Sequence, residues 1–190
     1  MKLAELHTVS ETFRKHLQRI RPLLTAMPQR KQEHSQRVGR TLHRAGLGQA
    51  GVSAGLLHDY LERGGDLTTL QAHLDELDLP EHTLHIITAL THDKEEPDEL
   101  AGNQPLAQIR RILPKLDPGI RDLAILTKMA DRLDNLQKRA RRGGIGPNYR
   151  RKSLELMHYL SSHYNGPGPY FARLAAIISK VLKIRGLSAG

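Results

Sequence analysis

Residues 117–141 read DPGIRDLAILTKMADRLDNLQKRAR, and this run decides the fold class. It opens on Asp117-Pro118, an acid suited to capping a helix followed by a proline suited to the first helical position. Its apolar residues recur at three- and four-residue spacing, and Gly143-Gly144 lies just past its end. The predicted element is one long helix over about 118–141.

The same spacing recurs to either side. It predicts helices over about 8–26 (bent at Pro22), 29–46, 50–63, 66–77, 80–92, 105–113, 149–163 and 169–185. Residues 93–103 read as a polar loop, and Asn165-Gly166-Pro167-Gly168-Pro169 separates the last two helices. Leucine is abundant and valine scarce, which disfavours strands. With no internal repeat, low-complexity tract or long linker, residues 1–190 read as one all-α domain, a compact multi-helix bundle.

The chain has no cysteine, which excludes disulfides, thiolate metal sites and thiol nucleophiles, and suits a reducing, cytoplasmic compartment. The first twenty residues are charged throughout, and no apolar run approaches membrane-spanning length. Neither a signal peptide nor a membrane helix is expected. The net charge of +9 is local: residues 135–190 carry 11 Lys/Arg and a single acid, Glu155, whereas residues 1–134 are close to neutral. Such asymmetry points to an anionic partner.

Two imidazoles and two carboxylates on three predicted helices are the informative constellation: His34, His58-Asp59 and Asp131. Together they make a mixed N/O donor set suited to Mn²⁺, Fe²⁺ or Zn²⁺ rather than to Ca²⁺. A His-Asp dipeptide alone says little, and His92-Asp93 is a second copy beside a charged run. The first copy differs because it follows the small, apolar Val52-Ser53-Ala54-Gly55-Leu56-Leu57, so the pair arrives at the end of a buried segment. A buried His and Asp need partners, which a core hydrogen-bonded pair or a metal would both supply. Glu62 stands four residues after His58, and Asn135 four after Asp131, each pair on one face of a continuous helix.

At these residues the chain resembles the HD superfamily of metal-dependent phosphohydrolases. It is most similar to the hydrolase domain of the RelA/SpoT-type enzymes that act on guanosine tetra- and pentaphosphate alarmones. The matching features are His34 followed by Leu57-His58-Asp59, Glu62 in the HDxxE position, and Lys-x-Ala-Asp-Arg-Leu-x-Asn-Leu at 128–136, with Arg150-Arg151-Lys152-Ser153-Leu154-Glu155 a fainter fourth. Together they span about residues 28–162, most of the chain.

The resemblance implies a single metal, usually Mn²⁺, on His34, His58, Asp59 and Asp131, and hydrolysis of a 3′-pyrophosphate ester. It implies that Glu62 acts on the attacking water, that Asn135 contacts the nucleotide, and that Arg30-Lys31 face the base. There are two departures from the family pattern. Arg63 stands where the family carries Asp, a charge reversal that would slow hydrolysis or change the substrate, and the segment between Lys31 and His34 is shorter than in the family. Glu33-His34-Ser35 is similar to the HD-type 5′-nucleotidases, so another nucleotide or a nucleoside monophosphate is an alternative substrate. No synthetase segment follows residue 190, so synthesis of the alarmone is not expected.

Residues 137–152 hold seven Lys/Arg and no acid. Cations at a helix C-terminus account for two or three of these. A phosphate-rich nucleotide would use the remainder as a rim running from Asn135 past Lys138, with Tyr149 available to stack on a base or on a neighbouring helix. Nucleic acid is the weaker alternative partner, since few aromatics accompany the charge. A catalytically silent alarmone- or nucleic-acid-binding module is the reading from a different class.

Overall fold

The computed structural model describes residues 11–91 and 104–183. They form nine α-helices and no strand: α1 (Glu11–Thr25), α2 (Gln29–Ala45), α3 (Gln49–Leu57), α4 (Leu67–Glu76), α5 (His82–Leu90), α6 (Gln104–Ile112), α7 (Pro118–Arg141), α8 (Pro147–His163) and α9 (Gly168–Leu182). The all-α expectation holds, and most predicted spans agree with the helices to within one or two residues. His92-Asp93 and the 93–103 loop lie outside the described residues. Among the described residues no helix is long and apolar enough to cross a membrane.

One expectation fails. The third helix, predicted to run to Arg63, ends at Leu57, and Leu61–Arg63 is a separate 3₁₀ turn. The His58 ring explains this. Its Nδ1 lies 2.8 Å from the Gly55 carbonyl, which the next α-helical amide would otherwise use. The chain then tightens, with Tyr60 N bonded to Leu57 O, and Gly64 (φ 90°) reverses it. His58, Asp59 and Glu62 therefore do not share one continuous α-helix, and His58 and Glu62 are not i, i+4 neighbours on one helix face.

α7 is the axis of the fold and packs against α2, α3, α5, α8 and α9. A large apolar cluster built around it includes Leu42, Ile109, Ile125, Leu133, Leu160 and Ile178. A smaller one joins α1 and α4 to α3 and α5 through Phe13, Ile20, Leu56, Leu57, Leu70 and Ile87. α3 serves both clusters, and its residues from Gly51 to Leu57 are all buried. An all-round apolar helix of this kind has to be internal.

α2 crosses α3 at nearly backbone contact. A Cβ added to Gly55 would lie 2.4 Å from Leu42 Cδ1 and 3.3 Å from the Gly39 Cα, and one added to Gly39 would meet Leu56 Cγ at 2.6 Å. Two glycines face each other there because no larger residue fits. That close approach carries His34 on α2 toward His58 at the end of α3.

Candidate metal centre

His34 and His58 meet edge to face with ring centroids 5.1 Å apart. One potential ligand atom each from His34, His58 and Asp59 falls within 4.8 Å of the other two, and all three residues are buried. Asp131, on α7, lies beside this group but outside its mutually close set. Its Oδ1 lies 3.2 Å from His34 Nε2 and 4.0 Å from His58 Nε2, while Asp59 Oδ1 is 3.5 Å from His58 Nε2. Ligand atoms held about 2.0–2.2 Å from one ion stand roughly 3–4 Å from each other, so these separations suit a shared cation.

Hydrogen bonding identifies which ring nitrogens face inward. The Gly55 carbonyl only accepts, so His58 Nδ1 carries a proton and donates to it. In the neutral ring His58 Nε2 is then a lone pair. It is buried, has no hydrogen-bond partner among the described residues, and looks toward two carboxylates. A buried acceptor set among acceptors is costly, and either a metal ion or a proton facing those carboxylates would relieve it. His34 Nδ1 donates to Asp134 Oδ2 at 2.8 Å, which turns Nε2 toward the same centre. The donor set and the orphaned nitrogen together fit a divalent transition metal.

Each inward carboxylate is anchored by its other oxygen. Lys31 Nζ donates to Asp59 Oδ2 at 2.7 Å, and Lys128 Nζ lies 3.5 Å from Asp131 Oδ2. Asn135 Nδ2 donates to both Asp131 Oδ1 (2.7 Å) and the Asp131 carbonyl (3.1 Å). Burial opposes ionisation of Asp131, but Lys128, His34 and His58 outweigh it and hold the carboxyl well below the usual range. Asp59 is lowered in the same way, with burial opposed by the charge of His58 when protonated and by Lys31. Burial also opposes a charge on His34, yet its bonds to Asp131 and Asp134 push its pKa up to about 9.

Of the remaining candidates, Lys31 and Asn135 are bonded to this group. Glu62 is half-buried on the 3₁₀ turn, with Oε2 3.9 Å from Arg63 Nη2. Lys31 is engaged by Asp59, while Arg30 and Lys138 are exposed. The ring of Tyr149 is covered by the guanidinium groups of Arg139 (3.9 Å) and Arg132 (5.0 Å), and Arg151 pairs with Glu155. Asp134, Arg37 and the anchoring role of Lys128 were not foreseen from the sequence. The available signal was spacing, because Lys128 and Asp134 stand three residues either side of Asp131 and Arg37 three after His34, each one helical turn away.

Comparison of the chain with protein-family models, with curated proteins and with solved structures finds no match.

Proposed function

We propose that the chain is a divalent-metal-dependent phosphohydrolase of nucleotides, with a guanosine 3′-pyrophosphate as the favoured substrate and Mn²⁺ as the favoured ion. The observation that carries this reading is the buried, unpartnered Nε2 of His58, aimed at carboxylate oxygens of Asp59 and Asp131. His34, His58, Asp59 and Asp131 would hold the ion. When bound, it lowers the pKa of a coordinated water and offsets charge on phosphoryl oxygens. Glu62, in the position that the resemblance gives to the residue acting on the attacking water, would take its proton onto a carboxylate oxygen. Both amide hydrogens of Asn135 are used on Asp131, which leaves its carbonyl oxygen to accept from a ribose hydroxyl.

Charge supports an anionic substrate. Asp59, Asp131 and Asp134 are already matched by Lys31, Lys128 and Arg37. A dication therefore leaves the group net positive, a setting for phosphate oxygens. Lys138 and Arg30 are exposed cations on α7 and α2, the helices that carry Asp131 and His34.

The pairing of Arg63 with Glu62 at 3.9 Å favours a second reading, a silent module that binds the nucleotide without turning it over. One experiment separates the two. The protein is stripped of metal, reloaded with Mn²⁺ and assayed for pyrophosphate release from ppGpp beside His58→Ala. Turnover that requires Mn²⁺ and is lost in His58→Ala is the expected result. Turnover that survives chelation, or an unchanged His58→Ala rate, sinks the hydrolase reading. Binding without turnover that Arg63→Asp converts to turnover supports the silent module.

A further inference from the structure

Asp134 occupies a variable position of the 128–136 segment, so the resemblance assigns it no role. Its surroundings suggest one. The side chain is buried, 6% exposed. Oδ2 accepts from His34 Nδ1 at 2.8 Å. Arg37 grips both carboxylate oxygens, Nε to Oδ1 at 2.6 Å and Nη2 to Oδ2 at 3.2 Å. His34 and Asp134 are 100 residues apart, so only the contact of α2 with α7 brings them together.

We propose that Asp134 and Arg37 are the positioning residues of the metal centre. The inference rests on the metal reading above. The geometry runs outward from the candidate ion in one line: His34 Nε2 faces Asp131, His34 Nδ1–H is held by Asp134, and Asp134 is held by a forked guanidinium. A carboxylate accepting from the far nitrogen fixes which tautomer a ligating imidazole adopts, fixes its ring plane, and makes it a better donor. The fork matters as much as the carboxylate. A bidentate guanidinium locks the carboxylate plane, whereas a single ammonium would let it rotate. Without Asp134, His34 is free to flip and present Nδ1–H to the centre, which repels a cation.

An ordinary ion pair stapling α2 to α7 would use the same atoms, so the test needs a readout that a staple would not move. Co²⁺ serves, because its visible absorption reports coordination geometry while titration reports affinity. In Asp134→Asn, Co²⁺ binding is expected to weaken about 10- to 100-fold, and the absorption band at saturating Co²⁺ to shift. Arg37 is half-exposed, so Arg37→Gln keeps the test valid if Asp134→Asn does not fold. It is expected to weaken Co²⁺ binding several-fold, with Arg37→Lys recovering only part, because Lys lacks the fork. Wild-type affinity and spectrum in these folded variants would overturn the positioning role and leave the metal reading standing. A wild-type protein that takes up no Co²⁺ would overturn both.

Discussion

Two buried histidines, His16 and His34, sit in opposite electrostatic surroundings. His34 is flanked by carboxylates and stays charged to about pH 9 in the metal-free protein. His16 on α1 is pushed down to about 4, first by burial and then by the charges of Arg19 and His43. Its Nε2 lies 2.7 Å from Ser53 Oγ, whose own hydrogen goes to the Gln49 carbonyl, so Nε2 donates to the hydroxyl. Between pH 6.5 and about 4 the unfolded chain binds a proton at residue 16 that the folded chain refuses. Stability from this group is therefore complete above 6.5 and lost as pH falls toward 4. For His34 the sign reverses: its contribution is complete below 6.5 and lost as pH rises through about 9. Urea midpoints of the metal-free protein should fall on both sides of pH 6.5, and His16→Leu should flatten the acidic side alone. An unchanged acidic slope in that variant would show that His16 is not the group responsible.

At the scale of elements, the approach of α2 to α3 controls the candidate site. Gly55→Val inserts a branched side chain against Leu42 and the Gly39 backbone, which should cost about 1–3 kcal/mol and separate His34 from His58. Gly119→Ala is the matched control, since nothing lies near that position on α7 and Ala there should be neutral or stabilising by up to ~1 kcal/mol. Urea melts measure the stability changes, and Co²⁺ titration shows whether Gly55→Val also loses metal affinity. Most helices were legible in the sequence because a buried apolar face imposes its own period, as Phe13, Ile20 and Leu24 do on α1. The end of α3 was not legible. It is set by the His58 ring reaching the Gly55 carbonyl, a side-chain contact to which apolar spacing is blind. The family resemblance turns Lys31 toward a base and Asn135 toward a nucleotide, whereas in the structure both engage carboxylates of the cluster.

For the whole molecule, a metal that binds the folded chain and not the unfolded one must stabilise it by mass action. The candidate ligands come from α2, the turn after α3, and α7, so they share a centre only when the bundle is assembled. Mn²⁺ at 100 times its dissociation constant should add about 2.7 kcal/mol, or roughly 5–10 °C in melting temperature for a chain this long. EDTA should reverse the gain, Ca²⁺ should give much less, and His58→Ala should give none. A melting temperature indifferent to Mn²⁺ would argue that the cluster is a core hydrogen-bonding network only. The charge asymmetry also becomes spatial at this scale. The acids of the cluster are already paired, while basic residues from the end of α7 and the start of α8 remain at the surface, Arg139 stacked on Tyr149 and Lys138 exposed.

The sequence by itself determined the all-α class and singled out His34, His58, Asp59 and Asp131, because helical period and donor chemistry are properties of residue type and local spacing. Only the tertiary structure decided how those four face one another, which ring nitrogens turn inward, and which lysine holds each carboxylate. Those features depend on the crossing of α2, α3 and α7, where residues up to 100 positions apart come within hydrogen-bonding distance. A one-dimensional pattern carries no such distance. Asp134 and Arg37 are the clearest case, since spacing puts each one helical turn from a candidate ligand but only the meeting of α2 and α7 brings the two together.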